Sequence, residues 1–570
     1  MKRGLISALI ATGVFFGGAH RAAAQYDPPA GYYDTATGTG ATLQNQLSTI
    51  MATGHVQRTY GDFRFASALI DQDPANAGNL LEVYNRASVS GVWDCPNGNC
   101  VWNREHVWPQ SRQPGSANNS SIGNLGDPLA LRPADPGVNS DRGDKPFGNF
   151  STTGAFGSQG TFYFPGDQDK GDIARNLFYS ATRYQSSGLV LVSGVPTGNQ
   201  MGDLQSLLRW HYTDPPDEFE RRRNHVIFSS SLNPTYFTNN RNAYIDRPEF
   251  VWSVFGGGSN DSKLYVGGVA PGDGASALMV DLGDVLMGAS VPPAQAVTLN
   301  KDGANPTYYA VTPAGDATSS ISGALNAFDF DPQTTSIDVG LSSSTAIAGL
   351  KSGIVTIDNL DVDGAGVGMG SADGDDLITV NLAVLDHAEA SFDPGVDQNA
   401  LVIDFGTIVD GGGILTQAFT IENLENSPGF TAALDLDGIA GSGQTAVLFT
   451  DLAPFADLAA GSGLSFEASF DTSTVGVFSA QYILSVSDEN LAGAAAGTDL
   501  VLTLMGEVSS VCDACDANCD GFQTIDDVSA FVDILVGTSA PCSGCAGDTS
   551  FNSVSNGGDV QVFVNCMLGL

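Results

Sequence analysis

Apolar and polar positions change their period along the chain, and the changes divide it into distinct stretches. Between Gly171 and Tyr184, residues Ile173, Leu177, Ala181 and Tyr184 recur at helical spacing, which predicts a helix with one face on a core. Asp217 to His225 reads as the charged end of a second helix. Loops rich in Pro, Gly, Asn and aromatic residues separate such segments, so residues 25–256 are expected to form an α+β domain. From 257 the period falls to two. Ser336–Leu341, Gln417–Leu424 and Phe478–Val486 alternate apolar with polar residues and are divided by Gly, Asp and Asn turns, the pattern of antiparallel strands. The length fits two β-sandwiches, 257–392 and 393–508, the second with an immunoglobulin-like pattern. Residues 511–570 alternate Asp-rich loops with two apolar stretches, Val528–Val536 and Val560–Leu568, each read as a helix. The expectation is a multidomain chain: an α+β domain, then all-β sandwiches, then a small α domain.

Composition adds a compartment. Lys2 and Arg3 precede an apolar run, Leu5 to Ala19, and small residues follow to Ala24. This is the make-up of an export signal, 1–24, and the run is short for a membrane span. No later stretch is apolar enough to cross a bilayer, so the mature protein is expected to be secreted without a membrane span. Eight cysteines then suggest disulfides. Cys95 and Cys100 enclose a turn-rich loop that a disulfide would brace; the other six lie between Cys512 and Cys566.

A formal net charge of −40 argues against a polyanionic partner for the chain as a whole. Yet 20 of the 23 Lys and Arg precede residue 257. Residues 26–256 hold 17 basic and 22 acidic residues, whereas 257–570 hold 3 and 41. The acidity belongs to the second half, where no catalytic constellation is evident and spacer or adhesion modules are expected. The first half remains free to present a local basic cleft. Arg221-Arg222-Arg223 could serve such a cleft, although a solvated helix face is the favoured reading.

Glu105 and His106 place an oxygen ligand beside a general base, which is what metal-assisted phosphodiester hydrolysis requires. Neighbours on a strand point to opposite faces, so a backbone bend near Pro109 is expected if both are to act on one phosphate. The surrounding Asn103-Arg104-Glu105-His106-Val107-Trp108-Pro109-Gln110-Ser111-Arg112 closely resembles the central motif of the bacterial endonuclease I family. The resemblance continues through Leu131–Gly143, Gly171–Tyr184, Leu208–His211 with Asp214-Pro215, Glu218–Asn224 and Asn240–Glu249, in family order. It implies a ββα-metal fold, in which a His on a strand and an Asn on the following helix flank one Mg²⁺. By that resemblance His106 is the general base, Glu105 the acidic metal ligand and Asn139 the amide ligand. Arg104, Arg112 and Arg142 are alternative phosphate-binding residues. One departure stands out: Asp127-Pro128-Leu129-Ala130 occupies the place where the family has Asp-Leu-His-Asn, which implies weaker support for the metal ligands if that pair orients them. His55, His211 and His225 are read as structural or surface residues, with His211 a further group that could support the ligands.

In the tail, Asp516, Asn518, Asp520 and Asp527 fall at positions 1, 3, 5 and 12 of a calcium-loop register, with Gly521 at 6 and the Phe522 carbonyl at 7. Asp548, Ser550, Asn552 and Asp559 repeat it more weakly, with Ser553 in place of Gly. Two such loop-helix units resemble a dockerin repeat, which implies structural Ca²⁺ and a cohesin-like docking partner. The pairs Cys512/Cys515 and Cys542/Cys545 leave a zinc site as the competing reading. Two functional expectations follow. The first is a secreted, Mg²⁺-dependent endonuclease acting on DNA, with RNA as a further substrate, and with little sequence preference. The second is a non-catalytic adhesion or scaffold protein with a degenerate nuclease domain.

Overall fold

The computed structural model describes residues 25–364, 369–409, 412–509, 515–540, 546–550, 552 and 554–570; the expected export signal, Cys512, Cys542, Cys545 and Ser553 lie outside them. The chain divides into two compact bodies, one of residues 1–280, 294–340 and 352–380, the other of 281–293, 341–351 and 381–570.

The first body is organised around the helix Lys170–Arg183. The spacing predicts one buried face, but every residue from Gly171 to Thr182 is buried. Most of the polar ones are tolerated because they meet partners, as burial demands. The Arg175 guanidinium pairs with Glu220 at 2.5 Å, Asn176 donates to the Leu129 carbonyl at 2.7 Å, and Thr182 bonds the Tyr244 hydroxyl at 2.7 Å. Gly171 is obligatory here, since a Cβ would lie 2.0 Å from the Asp214 carbonyl oxygen. The helices Gly40–Ala52, Leu204–Thr213 and Glu218–Phe228 contribute Leu43, Leu47, Met51, Leu207, Leu208, Val226 and Ile227 to the same core. Asp203 and Asp217 cap two of them by accepting from the backbone of Ser206 and Glu220, contacts that stabilise a helix by about 1 kcal/mol each.

The arginine triplet corrects its favoured reading as a solvated face. Arg223 is 4% exposed, pairs with Asp71 at 2.7 Å and donates to the carbonyls of Pro128 and Leu131. Arg221 reaches Asp27, and Arg222 reaches Gln72 and the Leu69 carbonyl. Arg132 joins the network through Asp71 and Asp172. Carboxylates from remote segments neutralise Arg221, Arg223 and Arg132, which is invisible in a local reading of charge. The three histidines are structural: His211 is fully buried with Nε2 on the Pro248 carbonyl, while His55 and His225 contact Arg183 and Arg241.

The β-region of this body holds a four-stranded sheet ordered Lys263–Val266, Gln295–Asp302, Gln333–Leu341, Ala317–Ser319. In a second sheet Thr307–Gly315 lies between Gly323–Phe328 and Gly349–Asn359. Tyr308 and Leu360 pack directly on Tyr212 and Trp252 of the helical region. The Tyr308 hydroxyl donates to the His211 carbonyl at 2.6 Å, Tyr212 donates to buried Asp361, and Arg209 pairs with Asp329 at 3.2 Å. The β-region is therefore fused to the helical region rather than strung from it.

The second body contains a sandwich of two sheets. One is ordered Ala390–Ser391, Ile414–Asn423, Ser462–Asp471, Leu448–Thr450; the other Ala400–Val409, Leu500–Ser509, Gly476–Asp488, Leu434–Gly443, Phe455–Leu458. Ala400–Val409 runs parallel to Leu500–Ser509, a departure from the wholly antiparallel expectation. Its core includes Phe419, Ile421, Phe470, Leu484, Leu502 and Leu504. In the tail, helices Asp527–Leu535 and Val560–Met567 stack Phe531 on Phe563 at 3.8 Å, and Cys515 is bonded to Cys566. A bridge closing a loop of that length restricts the unfolded chain by about 4 kcal/mol, which so small a core needs. It also takes Cys515 out of the four-cysteine zinc reading, because that sulfur is not available as a thiolate ligand.

Candidate active site

The strand Asn103–His106 pairs antiparallel with Leu131–Ala134, setting Glu105 opposite Arg132 and His106 opposite Leu131. Asp135 then caps the helix Pro136–Arg142, its Oδ1 accepting from Gly137 at 2.7 Å and Val138 at 2.9 Å, with proline at the first helical position. Strand, strand and helix thus follow one another within forty residues of chain. The disulfide Cys95–Cys100, as expected, closes the loop leading into the first strand.

Arg142 locks the helix to the strand. Its guanidinium, 1% exposed, pairs with Glu105 Oε1 at 3.0 Å and donates to the carbonyls of His106 at 3.0 Å and Val107 at 2.6 Å. Carbonyls of successive residues point opposite ways on a regular strand, so both can reach one guanidinium only if the backbone turns at Val107. The backbone thus turns after His106, but Glu105 and His106 themselves sit in regular pairing and face different partners, so the bend expected to bring both onto one phosphate does not lie between them. Oε1 of Glu105 also accepts from the Tyr84 hydroxyl at 2.7 Å. Burial pushes the Glu105 carboxyl up from its ordinary range, while Arg142 and Tyr84 hold it down.

On the other side, His106 Nε2 lies 3.0 Å from the Leu125 carbonyl and its ring rests on Tyr60, centroids 4.7 Å apart. A carbonyl only accepts, so Nε2 carries the proton and Nδ1 the lone pair. Burial pushes the imidazole down to about 4, opposed by the Leu125 carbonyl and assisted by Arg104 and Arg142. The ring is thus neutral at physiological pH, with a basic nitrogen ready. Asn139, partly exposed, is three residues before Arg142 and so shares its helix face, the one docked on the strand.

The three arginine candidates separate. Arg142 faces inward, as described. Arg112 is partly exposed and donates to the carbonyls of Asp144 and Pro196. Arg104, also partly exposed, lies on the His106 side, held by the Tyr60 carbonyl and Asn119. Leu129 and Ala130 are buried in a short turn before the second strand, where Leu129 joins the main core. Tyr60, Tyr84 and the Leu125 carbonyl escaped sequence reasoning because no spacing connects them to residues 103–142; only the fold does.

In the tail, Asp527 and Asp559 are fully buried and occupy equivalent places. Asp527 accepts from the backbone of Asn518 and Thr524, and Asp559 from that of Ser550 and Asn556. Asp516 accepts from Asp520 and Gly521, Asp520 from Phe522, Asp548 from Asn552 and Asn552 from Val554. Both loops curl around their carboxylates. Among the described residues no group of three His, Cys, Asp or Glu side chains is drawn together as a metal site, so any cation must also use amide, hydroxyl or carbonyl oxygens.

Residues 39–249 match the family model for endonuclease I. The chain is 37% identical over 242 residues to an extracellular ribonuclease of Bacillus amyloliquefaciens, covering 39% of this chain and 78% of that protein. The chain belongs to the endonuclease I family. An extracellular ribonuclease of Bacillus subtilis (strain 168) is likewise 37% identical over 252 residues, covering 41% of this chain and 81% of that protein. The endonuclease I region thus contains the whole strand-strand-helix unit and the helix Lys170–Arg183 on which it rests.

Proposed function

We propose that the chain is a secreted, Mg²⁺-dependent endonuclease that hydrolyses nucleic-acid phosphodiesters with little sequence preference. The observation that carries this reading is the tautomer of His106: Nε2 is tied to the Leu125 carbonyl and Nδ1 is left basic on a neutral ring. In hydrolysis the water oxygen bonds to phosphorus, one P–O ester bond breaks, and Nδ1 receives the proton the water releases. The donor set suits a hard dication. Both contacts of Glu105 fall on Oε1, which leaves Oε2 as a carboxylate donor, and Asn139 adds an amide oxygen from the helix clamped alongside. Mg²⁺ held there would neutralise charge on the phosphoryl oxygens and stabilise the leaving oxygen. Arg142 keeps the two donors in register, and Arg104 and Arg112 remain the phosphate-binding candidates.

The names of the Bacillus relatives support RNA as a substrate and an extracellular location, in line with the basic-apolar-small N-terminus. DNA is included because the proposed chemistry acts on the phosphodiester, which RNA and DNA share. The tail is proposed to hold structural Ca²⁺ through Asp516, Asn518, Asp520, the Phe522 carbonyl and Asp527, and through Asp548, Ser550, Asn552 and Asp559. On that reading it is a dockerin-like module for a cohesin-like partner, following an immunoglobulin-like sandwich. Of the motives for the adhesion-protein alternative, the replaced His-Asn pair weakens, since Leu129 and Ala130 are buried and Glu105 is held by Arg142 and Tyr84 instead; the acidic sandwiches and the docking tail still stand behind it.

Incubating the purified full chain with RNA and with plasmid DNA tests the proposal. Cleavage in Mg²⁺ that stops on adding EDTA is expected. Intact substrates in Mg²⁺, or cleavage unaffected by EDTA, would overturn it.

A further inference from the structure

Residues 104 and 106 lie on the same face of their strand, and that face carries a row of aromatic and cationic groups running outward from His106. Tyr60 stacks on the His106 ring at 4.7 Å and an interplanar angle of 30°. The Arg104 guanidinium lies 3.6 Å from the Tyr60 ring centre and 5.2 Å from that of Trp93. Trp93 is fixed from behind: fully buried Trp102 meets it edge-on, centroids 4.7 Å apart at 83°. Tyr60, Trp93 and Arg104 all keep part of their surface exposed, and Val92 and Val101 beside them are 68% and 40% exposed. Two hydrogen bonds, to the Tyr60 carbonyl and Asn119, hold Arg104 in place. Arg64 is close enough to disfavour the charge on Arg104, so the row has a cationic flank.

A core needs no such arrangement at its surface. A rigid indole, a planar guanidinium and a phenol in sequence next to a candidate base are what a chain of unpaired nucleotides would use, since every base offers a π-face and every phosphate a charge. A duplex keeps its bases stacked on one another and cannot present them to this row.

We infer that Trp93 and Arg104, the guanidinium seated on Tyr60, form a stacking platform for unpaired bases next to the scissile phosphate, so that single-stranded nucleic acid is the preferred substrate class. The inference rests on the nuclease reading of His106 and deepens it. Trp93 acts here as a specificity determinant and takes no part in proton transfer, and Tyr60 holds Arg104 in place.

The test measures binding and cleavage separately. In EDTA, tryptophan fluorescence of the full chain is titrated with oligoadenylate and with blunt duplex DNA; in Mg²⁺, KM and kcat are determined for both. The expected result is that Trp93→Ala weakens oligoadenylate binding and raises its KM by roughly tenfold or more, while KM for duplex stays within about twofold and kcat for both is retained. Trp93→Tyr, which keeps a stacking face, should recover most of the loss. Equal effects of Trp93→Ala on the two substrates, or no preference for oligoadenylate in the wild type, would overturn the inference. Binding in EDTA keeps its fate distinct from that of the nuclease reading: a chain that prefers oligoadenylate yet cleaves nothing in Mg²⁺ sustains the platform and refutes the catalyst.

Discussion

The candidate endonuclease I site and the C-terminal tail are both proposed to hold a cation, and they place their carboxylates by opposite constructions. At the site a single acid, Glu105, is buried between Arg142 and Tyr84, and the proposed coordination would leave the rest to one amide and to solvent. In the tail the first loop folds around Asp516, Asp520 and Asp527 and the second around Asp548 and Asp559, whose oxygens accept the loops' own backbone N–H groups. A catalytic ion needs open positions and an environment fixed by the protein in its absence; a structural ion can itself be the organiser. The difference predicts that the site survives loss of its cation as a fold while the tail does not.

The comparison would break most visibly at Arg142. Replacing it by Ala leaves Glu105 buried without its cation and frees the helix Pro136–Arg142, for an expected loss of about 3–5 kcal/mol in denaturant unfolding of the first body. A loss below about 1 kcal/mol would show that Arg142 does not organise the site.

Exchange of cations sharpens the contrast. In the full chain stripped with EDTA, Ca²⁺ at a hundredfold excess over its Kd should stabilise the tail by about 2.7 kcal/mol and leave cleavage absent, whereas Mg²⁺ should restore cleavage. Asp527→Ala should remove most of the Ca²⁺ response, read by circular dichroism, with cleavage within about twofold of wild type. Cleavage falling in step with the tail would mean that the two are not independent.

A smaller effect tests the fused β-region. Burial raises the Asp361 carboxyl well above its ordinary range, against the hydroxyl of Tyr212 and the backbone of Tyr308. With a raised native pKa, the stability this group contributes is full below the ordinary carboxylate range and is lost as pH rises toward the native value. Asp361→Asn should therefore gain Tm relative to wild type as pH goes from acid to neutral, by a few degrees at most. A difference that shrinks with rising pH would contradict the assignment.

Periodicity made much of the framework legible: the helix Lys170–Arg183, the strands around Ser336–Leu341, Gln417–Leu424 and Phe478–Val486, and both tail helices lie where it places them. It failed where long-range partners decide. Nothing local announces that Arg223 is a core residue held by Asp71, or that Arg142 faces Glu105 instead of solvent. At the site, the motif singled out Glu105, His106 and Asn139 as candidates but not Tyr60, Tyr84 or the Leu125 carbonyl, which arrive from other loops; Leu125 meets His106 Nε2, Tyr60 its ring, and Tyr84 meets Glu105. The alternating pattern beyond 257 likewise carried no sign that Tyr308 and Asp361 would be buried against Tyr212.

The central claim is that neutral His106, through Nδ1, accepts the proton of the attacking water. The direct measurement is single-turnover cleavage of RNA in saturating Mg²⁺ by His106→Ala, in a preparation whose circular dichroism and thermal transition match the wild type. The expected result is a rate lower by about 10²–10⁴-fold with substrate affinity retained. A rate within about tenfold of wild type, in protein shown to be folded, would contradict it.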